Sequence, residues 1–289
     1  MNKILVVLLL IGFSSSSHAL TALEIAQKVD RLARESSKSS FSVSKMVSCK
    51  FNKVKAKLKC SERPRIKEME NISVQLGAND KDSKSLSILL SPPKEKGVGM
   101  LTYSYEDKSK DTESWLYLSA LGKVKRLVTG NSETQEPVYI FGSEFTTEDM
   151  ENGKVDDYSY QILSESKYND RKVWQLESIP KPYQRKKSHY SKSIIFIDQE
   201  KFIPLKVQTF DKFGKPYKQL YFSKHEKING YWIAKVIRVL NLKNNRMSQI
   251  QQKDLVMNVP IDMEFLTQRS LTDFVFREQH LNKLRKTIK

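Results

Sequence analysis

The chain has 289 residues, of which 39% are hydrophobic and 29% are charged. Its 13 Phe, 12 Tyr and 3 Trp can fill a folded core, which excludes disorder for most of the chain, and its 10 Gly and 9 Pro exclude collagenous or low-complexity structure. The formal net charge of +17 indicates an anionic partner or surface without identifying it.

The first nineteen residues have the pattern of a secretory signal peptide. Lys3 precedes an apolar run over positions 4–11, and Ser17 and Ala19 supply the small residues of a cleavage site. The run is shorter than the roughly 20 residues of a membrane-spanning helix. We therefore expect cleavage after Ala19, a periplasmic location and one mature domain over residues 20–289. In that compartment peripheral contact with an anionic membrane is expected, and nucleic acid is not an expected partner.

The mature chain opens with an amphipathic helix. Thr21 and Glu24 form a T-x-x-E capping box. Apolar residues follow at helical spacing, which predicts a helix over positions 22–36; they are Ile25, Val29, Leu32 and Ala33.

Two cysteines, Cys49 and Cys60, lie in segments of alternating apolar residues. These segments predict a hairpin centred near Val54 and Lys55, in which Cys49 faces Cys60. In an oxidising compartment we expect a disulfide, which contributes roughly 3 kcal/mol by closing a short loop. Neither cysteine has a His or another Cys at metal-ligand spacing, so no metal site is expected.

Strand patterns occupy most of the remaining chain. Alternating apolar residues mark Phe41 to Phe51, Leu86 to Leu90 and Leu101 to Tyr105. Asp211 to Gly214 and Asn229–Gly230 have the composition of hairpin turns. About eleven strands with short loops predict an antiparallel meander. Those of the second half are Tyr158 to Ser166, Lys172 to Ile179, Tyr190 to Asp198, Ile203 to Phe210, Tyr217 to Lys224, Tyr231 to Leu242 and Met247 to Met257.

A sheet of this size tends to curl or to split into two layers. Several strands, such as Trp115 to Leu118, are apolar on both faces. A half-open barrel explains this if its concave side holds a cavity and the N-terminal helix covers its convex side. A filled sandwich explains it equally well, and the periodicity leaves both open.

Two segments carry a family resemblance. Ser114 to Arg126 reads S-W-L-Y-L-S-A-L-G-K-V-K-R, and Phe141 to Met150 reads F-G-S-E-F-T-T-E-D-M. They resemble the signature of the LolA-like group of periplasmic outer-membrane lipoprotein-sorting proteins, in its larger branch: W-x-Y-L-P-A-L-x-x-V-R-R and F-G-S-D-F-S-Y-E-D-L. Ser119 stands where that branch has proline, and Glu144 where it has aspartate.

This resemblance covers most of the mature chain, including Asn229 to Trp232 and Phe265 to Leu271. It implies a mainly β fold, a single antiparallel curled sheet or half-open β-barrel with helices covering its mouth. It also implies a periplasmic carrier or chaperone that binds a lipid, a lipoprotein acyl chain or another hydrophobic ligand. The partner would be an inner-membrane transporter or an outer-membrane acceptor. The alternative is a non-enzymatic accessory or scaffold protein of an inner-membrane resistance-nodulation-type transporter.

The resemblance and the strand patterns together suggest which residues would contact a headgroup or partner and which would line the cavity. Lys123, Lys125 and Arg126 would contact an anionic headgroup or a partner, or else form a solvated sheet edge. The expected cavity residues could equally be plain core residues. They are Leu86, Ile88, Leu101, Tyr103, Trp115, Tyr117, Phe196, Val207 and Trp232.

Two segments are candidate lids over the cavity, the N-terminal helix and Gly142 to Gly153. In the second, Thr146 and Asp149 have the spacing of a helix cap, and we interpret Glu148 and Asp149 as helix-terminus charges.

Catalytic motifs are absent from the sequence. His189, His225 and His280 are isolated, and no G-x-S-x-G, H-E-x-x-H or phosphate-binding loop occurs. We therefore expect neither enzymatic activity nor a cofactor or metal. A hydrolase would require His189 or His225 within hydrogen-bond reach of a Ser and a carboxylate in a cleft.

Overall fold

A computed structural model of the chain describes residues 19–54, 57–128, 136–151 and 154–288. Positions 1–18 of the expected signal peptide lie outside the described residues. So do Lys55 at the expected hairpin centre and the last two positions, 152 and 153, of the second candidate lid.

Five helices and fourteen strands are assigned within the described residues. The helices are α1 (Ala22–Glu35), α2 (Thr147–Met150), α3 (Pro182–Arg185), α4 (Arg269–Thr272) and α5 (Phe274–Arg285). The strands are β1 (Ser39–Val54), β2 (Lys57–Cys60), β3 (Arg65–Leu76), β4 (Asp82–Ser91), β5 (Gly99–Ser104), β6 (Glu113–Leu118), β7 (Lys123–Val128), β8 (Tyr158–Tyr168), β9 (Arg171–Pro180), β10 (Lys192–Asp198), β11 (Pro204–Phe210), β12 (Pro216–Ile228), β13 (Tyr231–Asn241) and β14 (Arg246–Met257).

The strands form one large antiparallel, curled and open sheet, which confirms the predicted fold class. Its order is β7-β6-β5-β4-β3-β1-β14-β13-β12-β11-β10-β9-β8, and β2, outside this order, pairs with β1. Two meanders, one from each half of the chain, therefore meet where β1 pairs with β14. This pairing joins both halves into a single sheet.

Local turn and cap signals determine where several elements begin and end. Thr21 and Glu24 form the predicted capping box of α1. Asn229 and Gly230 have φ angles of 49° and 89°, the left-handed conformations that the β12–β13 hairpin requires. Asp211 accepts backbone hydrogen bonds from Phe213 and Lys215, at 2.9 Å each, and so closes the β11–β12 turn. These predictions are confirmed.

The two faces of the sheet are covered by different elements. Directly opposed residues share a face, so the register places Ile195, Val207, Leu220 and Val239 together on what we call the cavity face. Val239 pairs with Ser248, and Ser248 pairs with Ser48, so Ser48 also lies on the cavity face. Phe41, an odd number of positions from Ser48, therefore points to the other face, where α4 and α5 pack.

Helix α1 lies on the cavity face, so the expectation that it covers the convex side is wrong. Its buried residues Ile25 and Ala26 pack against Leu176 and Ile197. Leu176 pairs directly with Ile195, and Ile197 lies two positions further along β10. The helix packs here because Leu176 and Ile197, on this face of β9 and β10, provide an apolar surface that its own apolar residues cover.

The Cys49–Cys60 disulfide is confirmed, with the two Cα atoms 5.7 Å apart. The expected hairpin register is wrong by two residues, because Cys60 pairs with Phe51 rather than with Cys49. Cys49 lies on β1 two residues before Phe51, the first β1 residue paired with β2, and its side chain bonds diagonally to that of Cys60.

Candidate ligand-binding hollow

A hollow of about 800 Å³ lies between the cavity face, α1 and α2. Its size is in the range of small-molecule sites, about 300–1,000 Å³. Strands β8 to β14 form its floor and α1 its roof. Its apolar lining includes Val29, Leu32, Ile195, Ile197, Val207, Leu220, Phe222, Ile233 and Ile237. Such a lining favours hydrocarbon over water.

The segment that leads into α2 is fastened across the cavity face. Phe145 is fully buried beside Leu220 and Val239. The Glu144 carboxylate accepts hydrogen bonds from Asn241 Nδ2 at 2.8 Å and from Arg246 Nε at 3.1 Å. The motif that carries the family resemblance thus fixes one wall of the hollow. Glu144, the residue that departs from the family's aspartate, supplies the polar anchor.

A buried ion pair holds α2 itself. Lys218 Nζ lies 2.7 Å from Asp149 Oδ2, and the two side chains are 0% and 1% exposed. Asp149 also caps α2 by accepting from the Thr146 backbone N–H at 2.9 Å, which confirms the helix-terminus interpretation. It further accepts a hydrogen bond from the Tyr190 hydroxyl, whose pKa is raised well above its usual value by burial and then by the Asp149 charge.

Glu148, the other charge of α2, ties the chain before β10 to this helix. His189 Nδ1 lies 3.0 Å from Glu148 Oε2, and the Ser188 hydroxyl donates to Oε1. A catalytic triad needs the imidazole between the hydroxyl and the carboxylate. Here the carboxylate lies between Ser188 and His189, so the imidazole has no path to activate the serine through this contact. The arrangement acts as a tether.

One end of the hollow is basic and aromatic. Lys28 Nζ of α1 lies 3.6 Å from the ring centroid of Phe202, and Lys201 Nζ lies 3.4 Å from that of Trp232. His225, on the neighbouring hairpin, also lines this end. Its pKa is lowered, first by burial and then by the charge of Lys201. We call these five residues the basic end.

The other end of the hollow carries carboxylates. Glu148, Asp149 and Glu151 line it together with Tyr158 and Tyr190. Burial raises the pKa of Glu151, although the Thr112 hydroxyl donates a hydrogen bond to it at 2.7 Å. The two ends lie at opposite ends of the seven-residue strand β10, which separates them by roughly 20 Å at about 3.3 Å per residue. The hollow is therefore long, apolar in its middle and polar at both ends.

Of the nine expected cavity residues, two line the hollow: Val207 on its floor, and Trp232 at its basic end, which Trp232 reaches from the side of the sheet that carries Phe196. Phe196 projects to the other face, where its ring centroid lies 5.5 Å from that of Tyr168. The remaining six belong to the core beneath the C-terminal helices, because Phe276, Leu281 and Leu284 occupy the space above them. They are Leu86, Ile88, Leu101, Tyr103, Trp115 and Tyr117.

The three expected headgroup-contact residues lie at the edge of the sheet on β7, outside the hollow. Lys123 and Lys125 are exposed, and Arg126 Nη2 forms an ion pair with Glu113 Oε1 at 2.6 Å. Four lysines do line the hollow, namely Lys28, Lys154, Lys192 and Lys201. Of these, Lys28 and Lys201 belong to no motif in the sequence.

Metal and membrane signals are missing from the described part of the chain. No group of three or more His, Cys, Asp or Glu side chains there could hold a metal ion. None of the helices found there is both long enough and apolar enough to cross a membrane.

A family model described only as a "-like" uncharacterized protein matches residues 81–273. A DUF1329 family protein from Desulfovibrio piger has a similar structure, with 23% identity, a TM-score of 0.76, and coverage of 86% of this chain and 97% of that one. A provisionally assigned outer membrane lipoprotein-sorting protein domain from Vibrio parahaemolyticus is similar at 26% identity, with a TM-score of 0.72 over 87% of this chain and 98% of that one. The LolA superfamily protein NE2245 from Nitrosomonas europaea gives 17% identity and a TM-score of 0.62, over 86% of this chain and 98% of that one. None of the curated proteins matches the chain.

Proposed function

Because this chain belongs to the LolA-like family of outer-membrane lipoprotein-sorting proteins, we propose that it is a periplasmic carrier of a lipid, a lipoprotein acyl chain or another hydrophobic ligand. The ligand lies in the hollow beneath α1. In this proposal the signal peptide is cleaved after Ala19, residues 20–289 form one domain, and the cargo passes to or from an envelope partner.

The observation that carries the proposal is the apolar hollow of about 800 Å³. Each methylene transferred from water into such a space contributes about 0.8 kcal/mol. Ten methylenes therefore supply roughly 8 kcal/mol, which is enough for micromolar binding. Carriage needs no catalytic group, and the order of Ser188, Glu148 and His189 offers none.

Release requires that one wall of the hollow move. The α2 wall is held by the Glu144 hydrogen bonds and the buried Asp149–Lys218 pair. Helix α1 is held mainly by its two buried residues, Ile25 and Ala26, and by partly buried neighbours. We therefore assign the moving lid to α1 rather than to the segment from Gly142.

Two neighbouring isoleucines offer a matched test. Ile195 lines the hollow, whereas Ile194 precedes it on β10 and faces the other side of the sheet; both are partly buried. Ile195→Trp and Ile194→Trp add the same bulk to opposite faces. Each variant and the wild type are purified from the periplasm, checked by thermal unfolding, extracted with organic solvent and analysed by mass spectrometry.

We expect the wild type and Ile194→Trp to retain lipid in near-stoichiometric amounts, and Ile195→Trp to lose most of it. Val207→Trp, on the adjacent strand, provides a second blocked variant if Ile195→Trp does not fold. A wild-type protein that yields no lipid, or blocked variants that retain as much as Ile194→Trp, would contradict the carrier function. In that case the accessory-protein alternative, which needs no cargo, would account better for the fold.

A further inference from the structure

The basic end of the hollow is assembled from three separate elements. Lys28 comes from α1, Lys201 and Phe202 from the turn between β10 and β11, and Trp232 from the β12–β13 hairpin. The contacts of Lys28 with Phe202 and of Lys201 with Trp232 join them into one surface. Both ammonium groups thus lie over aromatic rings at the point where the apolar lining ends.

The acids within three sequence positions of Lys28 and Lys201 are already engaged, Asp30 in an ion pair with Arg34 at 2.9 Å. Asp198 and Glu200 both form ion pairs with Arg171, and Asp198 also accepts backbone hydrogen bonds from Glu200 and Lys201. Among the described residues, neither Lys28 nor Lys201 forms an ion pair. The surface therefore keeps two positive charges that the protein's own carboxylates do not neutralise.

His225 adds a hydrogen-bond acceptor to the same end. It shares a face of the β12–β13 hairpin with Trp232, and its buried Nε2 has no hydrogen-bond partner within the described residues. When the neutral ring carries its proton on Nδ1, Nε2 is an acceptor for an O–H group.

From this arrangement we infer that the cargo is an amphiphile with an acidic headgroup, bound tail-inward, and that Lys28 and Lys201 contact its anionic oxygens. His225 accepts a hydrogen bond from a headgroup hydroxyl. This inference rests on the proposed carrier function and specifies its ligand class. It also moves the headgroup contact from the exposed β7 residues Lys123 and Lys125 to the mouth of the hollow.

The test uses three single-tailed probes that share a palmitoyl chain. They are 1-palmitoyl-lysophosphatidylglycerol, which is anionic, 1-palmitoyl-lysophosphatidylcholine, which is zwitterionic, and palmitate, which is anionic without a hydroxyl. Binding to the full mature protein is measured by calorimetry at pH 7.5, below the micelle-forming concentrations. The variants are Lys28→Gln/Lys201→Gln, its control Lys123→Gln/Lys125→Gln, and His225→Phe.

We expect the wild type to bind the anionic lysolipid about tenfold more tightly than the zwitterionic one, as befits two partly exposed cations. The Lys28→Gln/Lys201→Gln variant should lose this ratio, and the Lys123→Gln/Lys125→Gln variant should keep it. His225→Phe should weaken both lysolipids, which carry a glycerol hydroxyl, and leave palmitate unchanged. If palmitate binds as tightly as the anionic lysolipid, the cargo is identified as a free fatty acid. If palmitate binds more weakly, the cargo is identified as a phospholipid.

Equal affinities of the wild type for both lysolipids would overturn the inference while leaving the carrier function intact. A ratio that survives Lys28→Gln/Lys201→Gln but disappears in Lys123→Gln/Lys125→Gln would also overturn it, and would return the headgroup contact to β7. Failure of all three probes to bind would overturn the carrier function itself.

Discussion

Replacement of Lys218 by methionine tests how α2 is held over the cavity face. The substitution leaves the Asp149 carboxylate buried without its cation, and both side chains are at most 1% exposed in the native pair. Loss of one partner from a buried pair costs about 3–5 kcal/mol. For a chain of this size, each kcal/mol lowers the melting temperature by about 2–4 °C, so the expected decrease is roughly 6–20 °C.

The assay is urea unfolding followed by circular dichroism, together with thermal melting. Lys253→Met is the matched control, because Lys253 pairs with Glu68 at the surface, where the side chains are 43% and 36% exposed. We expect that control to change the free energy of unfolding by about 0–1 kcal/mol. The double variant Asp149→Asn/Lys218→Met should be less destabilised than the sum of its single variants, since it leaves no unpaired charge. A Lys218→Met protein as stable as Lys253→Met would refute the reasoning.

Three further predictions concern other parts of the fold. Cys49→Ser/Cys60→Ser should lower the free energy of unfolding by about 3 kcal/mol in urea, and a reductant should then have no further effect; an unchanged urea midpoint would contradict this. Leu281→Ala, at a fully buried position of α5, should lower the free energy of unfolding by about 2–5 kcal/mol. It should leave the amount of retained lipid unchanged, because α5 packs on the face opposite the hollow. Loss of lipid from the folded variant would refute the assignment of faces. The lowered pKa of His225 means that the unfolded chain binds a proton more readily, so stability should fall as the pH drops below about 6.5. His225→Phe should reduce that dependence in urea midpoints measured from pH 7.5 to pH 5, and an identical slope would contradict the assignment.

The elements that could be predicted from sequence are those set by local chemistry. The capping box at Thr21 and the turn at Asn229–Gly230 each act over a few residues, so their patterns identify the elements directly. The cysteine hairpin was predicted with the wrong register because alternation tolerates a shift of two residues without changing which side chains share a face. The disulfide remained predictable, since its Cα atoms are close enough in the diagonal arrangement.

The position of the hollow could not be predicted, because the strands in both halves of the sheet show the same alternation of apolar and polar residues. Leu101 and Val207 follow similar patterns, yet Leu101 lies beneath α5 and Val207 lines the hollow. Helix α5 itself is hard to recognise: its buried Phe276 and Leu281 are five residues apart, and Phe274 is exposed. Tertiary packing determines which strands a helix covers. Apolar residues beneath a closely packed helix form the core, and those left uncovered line the cavity.

The basic end was missed for a related reason. Lys28 and Lys201 are far apart in sequence, and neither belongs to a cluster of basic residues of the kind that marks a surface patch. Lys28 lies over Phe202 only when α1 docks on β9 and β10, and Lys201 lies over Trp232 only when the β10–β11 turn meets the β12–β13 hairpin. The clustered cations of β7, by contrast, are conspicuous in sequence but lie at an exposed edge.

A crystal structure with palmitate brominated at its terminal carbon would locate the hydrocarbon directly through the anomalous signal of bromine. Our account predicts a bromine peak beneath α1, between that helix and the strands carrying Ile195 and Val207, with the carboxylate near Lys28 and Lys201. A peak only at an exposed sheet edge, or a hollow closed by inward movement of its own side chains, would contradict the claim that this sheet shelters an acyl chain.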